Sequence, residues 1–200
     1  MRMAAVCSVV LMLLFPSPLA AQKIGVLPFE DASGVGEQFG EQVAKIIRSE
    51  MLKEKRFLPK FIKYTPQAEE SATVDVEKAI ELGKKNGVDY VVIGTILEAE
   101  SNSSSSGIGG IQVFGQSVGS SLRTVSASIT IQADLISVSD AKLLESFRTS
   151  GSDTNASVGA NVSTEWGSFD ADKDGTADSP TAKALREAVE DLVEEIAGKI

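Results

Sequence analysis

Hydrophobic and polar positions recur with a period that changes along the chain, and each period marks an element. Lys23 to Phe29 is an apolar run with the character of a buried strand. From about Glu37 to Lys53, Phe39, Val43, Ile46, Ile47 and Met51 recur close to every 3.6 residues. That spacing predicts a helix with one core face. "RFLPKFIKY" predicts a strand, which Pro59 confines to a sheet edge or a bend because proline donates no ladder hydrogen bond. Beyond the polar connection "TPQAEESATVD", Asp75 caps a second helix with Val76, Ala79, Ile80 and Gly83 on its inner side. Gly87 ends that helix in the left-handed conformation. "VDYVVIGTILEAE" then predicts a buried central strand. Strand, helix, strand, helix, strand is an α/β layout.

The second half reads differently. "SNSSSSGIGG" is low-complexity and is expected to be flexible. After it, Arg123, Val125, Ala127, Ile129, Ile131, Ala133 and Leu135 share one face of a long strand. Thr124, Ser126, Ser128, Thr130, Gln132 and Asp134 share the other, a half-buried pattern. "SVSDAKLL" makes a turn, and Leu144 to Thr149 is expected to return antiparallel. A further alternation follows through Thr154, Ala156, Val158, Ala160, Val162, Thr164 and Trp166. The last element is an amphipathic helix from Pro180 to Ile200, capped by Ser179, with Leu185, Ala188, Val189, Leu192, Val193, Ile196 and Ile200 as its apolar stripe.

The N-terminal stretch changes what belongs to the fold. Met1 and Arg2 precede "MAAVCSVVLMLLF", then prolines and small residues ending at Ala20-Ala21. This is the layout of a secretory signal peptide over 1–21, with the mature domain expected over 22–200. The one cysteine, Cys7, lies inside it, too close to the start and too poorly flanked for lipid attachment. The mature chain is then without thiols, and the sequence contains no histidine. Disulfides, thiol nucleophiles, cysteine metal sites and imidazole catalysis are all excluded, and the expectation is a protein that is not an enzyme. A net charge of −9 argues against nucleic acid or anionic lipid as a partner.

Two short stretches invite a chemical reading. In "KIGVLPFEDASGVGEQFG", Gly34, Gly36 and Gly40 follow a strand and precede a helix, as in a dinucleotide cradle. The spacing is G-x-G-x-x-x-G, however, and Glu30 and Asp31 at the strand exit would repel a diphosphate. The glycines are better explained as those of a sharp strand-to-helix turn. In "DADKDGTAD", Asp170, Asp172, Asp174 and Asp178, with Gly175 between them, match the first nine positions of a calcium loop. The twelfth position is Thr181 where a bidentate glutamate is needed, so weak Ca2+ binding and a solvated acidic turn both stand. No other cofactor is expected. Trp166 fits either an interfacial anchor of a membrane strand or a core residue.

The order of these elements resembles the curli production assembly and transport (CsgG-like) family. "IGVLPFEDASG" with its helix, "ELGKKNGVDYVVIGTI", "GIGGIQVFGQSVG", "ITIQADLISVSDAKLLESFRTSG" and "DSPTAKALREAVEDLVEEI" carry the resemblance. It implies an α/β domain, a mixed sheet with flanking helices, plus two extended β-hairpins, here at about 100–122 and 146–168. In such a family these hairpins combine between subunits into one oligomeric β-barrel in the outer membrane that exports fibre subunits. Pore-loop candidates are then Glu30, Asp31, Ser33, Gly34 and Phe39, and membrane-strand candidates are Ala156, Val158, Ala160, Val162 and Trp166. The partners implied are copies of the chain in a homo-oligomer ring, and a secreted protein substrate. Spanning strands need about 9–11 residues with an apolar outer face, whereas residues 101–106 are nearly all serine. The alternative is therefore a soluble periplasmic protein that uses the same domain to bind accessory proteins.

Overall fold

A computed structural model describes residues 21–36, 38–64, 74–113, 116–158 and 179–200. Among these described residues nine elements follow one another: β1 (Gln22–Val26), β2 (Glu30–Asp31), α1 (Phe39–Met51), β3 (Phe57–Phe61), α2 (Val76–Asn86), β4 (Tyr90–Val113), β5 (Gln116–Ser137), β6 (Lys142–Val158) and α3 (Pro180–Lys199). The strands form one open mixed sheet in the order β3-β1-β4-β5-β6, with β2 pairing to β4 beyond the end of β1. β1 runs parallel to β3 and β4, while β4, β5 and β6 are antiparallel neighbours. The α/β layout predicted by the periodicity, and the mixed sheet with flanking helices implied by the family resemblance, are the fold observed.

Alternation along the strands divides the core into two layers. Ile24, Val26, Val92, Ile96, Ile129, Ile131 and Leu135 face α1 and α3, meeting Val43 and Ile47 of α1 and Leu185, Leu192 and Ile196 of α3. Leu27, Val91, Ile93, Ile136 and Val138 face the other way, onto Ala79, Ile80 and Leu82 of α2. Burying one such aliphatic side chain stabilises the fold by about 1.5–3 kcal/mol, so the two-helix layer dominates. α3 lies unusually close to β6. A Cβ on Gly151 would sit 2.0 Å from the Ala184 carbonyl oxygen, so only glycine lets the helix down onto the strand. Thr149 Oγ1 fixes the register there by donating to the Ala188 carbonyl at 2.8 Å.

The helix ends follow their sequence signals. Asp75 accepts from the Lys78 N–H at 2.7 Å, and Gly87 has φ 65°. Ser179 accepts from the Ala182 N–H at 3.1 Å, with Pro180 opening α3. Pro59 sits in the edge strand β3, where its missing N–H costs no ladder bond.

One expectation needs correction. The serine run is not a flexible break: β4 continues through Ser101 to Ser106, paired residue for residue with β5 from Ala127 to Leu122. The antiparallel return expected at Leu144 to Thr149 is observed, and β6 runs on unbroken through Thr154 to Val158 opposite Leu122. In both places the long alternating strand β5 supplies a ladder, and cross-strand hydrogen bonds override a weak local preference.

Candidate assembly surface

The β1–α1 connection is built around one carboxylate. β1 hands over to β2 through Leu27, whose N–H donates to the Val92 carbonyl at 3.1 Å. Phe29 lies over Gly94, where a Cβ would meet the ring at 2.4 Å. Its N–H donates at 3.2 Å to the carbonyl of Gly40 in α1. Asp31 then folds back into its own loop. Its Oδ1 accepts from Ser33 N–H at 2.9 Å and Ser33 Oγ at 2.5 Å, and its Oδ2 accepts from Gly36 N–H at 2.7 Å. Partial burial pushes the Asp31 carboxyl up, but hydrogen bonds from Gly36, Ser33 and Gly34 outweigh that and hold it below its ordinary value. Gly34 and Gly36 take φ of 81° and 145°, which side chains resist.

This geometry answers the phosphate reading. The amides that an anion would need are already donated to Asp31, and Gly40 is buried inside α1. Of the pore-loop candidates, Glu30 and Gly34 are exposed, whereas Asp31 and Ser33 hold the loop together. Phe39 is only 2% exposed and packs in the core, leading the stripe Phe39, Val43, Ile47, Met51. Ala156 and Val158 lie on β6, opposite Thr124 and Leu122. Ala160, Val162, Trp166 and the acidic group Asp170, Asp172, Asp174 and Asp178 lie outside the described residues.

The largest surface feature is a three-stranded ribbon. β2 leaves β4 at Ile96, and β4 continues to Val113 with β5 on one side and no strand on the other among the described residues. Among the described residues β6 likewise has β5 on one side and no strand on the other. Among the described residues the ribbon thus has two edges with no paired strand, and such edges present backbone donors and acceptors for pairing.

At the other end of the sheet lies a feature the periodicity did not single out. A cleft of about 480 Å³ separates the C-terminal ends of α1 and α3, with Glu50, Glu54, Glu190 and Glu194 around it and Val193 and Ala197 beneath. Arg56 reaches in and donates to the carbonyls of Ala197 and Ile200, over the ring of Phe57. Its charge sits against the negative end of α3. The sequence signal was the pair Glu190 and Glu194, which i,i+4 spacing sets side by side on one face.

No curated protein matches the chain. Its fold is similar to that of the hypothetical protein CT253 from Chlamydia trachomatis, with a TM-score of 0.58 at 13% identity, covering 90% of this chain and 98% of that one. More distant similarities are to the PelC dodecamer from Paraburkholderia phytofirmans and the LpoB C-terminal domain from Escherichia coli. The first has a TM-score of 0.46 at 11% identity, covering 88% of this chain and 89% of that one. The second has a TM-score of 0.37 at 13% identity, covering 70% and 88%. At such identities the likeness concerns the fold alone. The family model described as "Curli production assembly/transport component CsgG" matches residues 67–200, a span that runs from the approach to α2 through the whole ribbon to α3. That match takes in well over half of the sequence, and the chain belongs to the CsgG family.

Proposed function

We propose that the protein is a non-enzymatic component of the cell envelope that works as a homo-oligomer, with its ribbon forming part of a secretion channel in the outer membrane. The observation that carries this reading is the ribbon itself, long and, among the described residues, open at both edges. From Ile96 to Val113 an extended strand covers on the order of 50 Å, more than a hydrocarbon core requires. β4 and β6 both run away from the helices, so β6 of one copy beside β4 of the next would be a parallel joint. One further returning strand per copy makes every joint antiparallel, as transmembrane barrels require. The alternation through Ala160, Val162 and Trp166 has the pattern for that strand. The secreted substrate would be an extended polypeptide passing the loops at Glu30 to Gly36.

The serines from 101 to 106 favour a second reading, in which the ribbon stays in water and the oligomer is a soluble periplasmic accessory to other envelope proteins. Purified full-length protein distinguishes the two. The channel reading expects rings on imaging in detergent and steady conductance in planar bilayers. Rings that form without detergent and conduct nothing support the accessory reading. A monomer under every condition overturns both.

A further inference from the structure

The exposed leucine on β3 has a setting that matches the acidic cleft. Leu58 is 53% exposed on an edge strand, an unusual place for a large aliphatic side chain. It pairs in register with Lys23, and two residues on, Lys60 pairs with Gly25. All three side chains point to the α2 side of the sheet, where a Cβ on Gly25 would meet Ile62 and Val88. Lys60 Nζ donates to the Asn86 carbonyl at the end of α2, bringing it beside Lys84 and Lys85 in the last helical turn. Lys23, Lys60, Lys84 and Lys85 are all exposed. The acids next to this patch are Asp89, which accepts from the Lys23 N–H, and Glu81, which is paired with Lys78 at 3.2 Å.

The cleft has the opposite character and lies on the opposite face, between α1 and α3. Its four carboxylates face two cations: Lys53, paired with Glu50 at 2.6 Å, and Arg56, held on the α3 carbonyls. Both surfaces are at the same end of the sheet, since Gln22 N–H donates to the Arg56 carbonyl and Asp89 N–H to the Lys23 carbonyl. Two different, complementary patches at one height on opposite faces make a heterologous contact, which builds a ring where the rotation between copies closes.

We propose that the acidic cleft of one copy receives Leu58 and the surrounding lysines of a second copy. This rests on the homo-oligomer reading above and assigns its subunit contact. Apolar contact comes from Leu58 over Val193 and Ala197, and orientation from Lys84 and Lys85 against Glu190 and Glu194. Every copy in such a ring directs its ribbon to the same side.

Charge exchange tests it, with oligomer mass read by light scattering on the full-length protein and folding checked by circular dichroism. Lys84→Glu with Lys85→Glu, and separately Glu190→Lys with Glu194→Lys, should each raise the dissociation constant about tenfold or more. Mixing the two variants should restore assembly, because each then meets an opposite charge. The neutral pair Lys84→Gln with Lys85→Gln should weaken assembly more mildly, and added salt should weaken the unaltered protein. If the unaltered protein assembles and the variants assemble equally well, or the folded mixture does not recover, this contact is wrong while the oligomer stands. An unaltered protein that is monomeric throughout overturns both.

Discussion

Replacing Gly40 with alanine sets two effects against each other, and the structure decides the sign. Alanine is the better helix former by up to about 1 kcal/mol, so propensity alone predicts a gain. The new Cβ, however, would lie 1.7 Å from the Phe29 carbonyl oxygen and 2.8 Å from its carbon. A carbon-to-oxygen contact needs about 3.3 Å, so the β1–α1 connection must retreat by about 1.5 Å. That movement breaks the Phe29 N–H bond to the Gly40 carbonyl and loosens a ring packed on Gly94. Overpacking of this kind costs about 1–3 kcal/mol and the lost hydrogen bond about 1 kcal/mol more. The net loss is about 1–3 kcal/mol. With a urea slope of about 2 kcal/mol per molar, the midpoint should fall by about 1 M in equilibrium unfolding followed by circular dichroism. Gly198→Ala is the control, since nothing lies within 4 Å of that position in α3. It should be neutral or slightly stabilising. A Gly40→Ala protein as stable as its parent would refute the close approach on which the loop's position depends.

Asp31→Asn should lose roughly 1–2 kcal/mol at neutral pH, a figure already reduced for the loop's exposure to solvent. Because the folded state holds this carboxyl below its ordinary value, its contribution is present above about pH 3.9 and fades as pH falls further toward the lowered value. Unfolding curves of parent and variant should therefore converge with acidification below about pH 4, and a gap that stays constant to pH 2 would count against the assigned hydrogen bonds. Thr149→Val keeps the shape of a buried side chain but removes its bond to the Ala188 carbonyl. That carbonyl sits in mid-helix and keeps its place in the α3 ladder, so the loss should be only about 1 kcal/mol in the same assay. A loss above about 3 kcal/mol would mean that α3 depends on this contact far more than the hydrogen bond explains.

The elements with strong local chemistry were legible in advance. Asp75, Gly87 and Ser179 marked helix ends because capping is decided within a few residues. The β5 alternation gave its buried face correctly, from Val125 to Leu135. The serine segment was not legible, since serine and glycine carry little strand preference and the ladder that holds them comes from residues distant in sequence. Phe39 shows a different limit. It lies at once next to a loop and at the head of a helical stripe, and the stripe prevails because the ring is worth more buried. The acidic cleft needed the third dimension, as Glu50 and Glu190 meet only once α1 and α3 pack side by side.

α3 also imposes an order on how the protein can become itself. The layer formed by β1, β4, β5 and α1 has no second wall until Leu185, Leu192 and Ile196 have arrived. These residues follow every described strand in sequence, so the main hydrophobic layer closes only after those strands have been made. α3 is therefore a clasp: it shuts on strands that are already available, and the layer it covers stays open to water until it does.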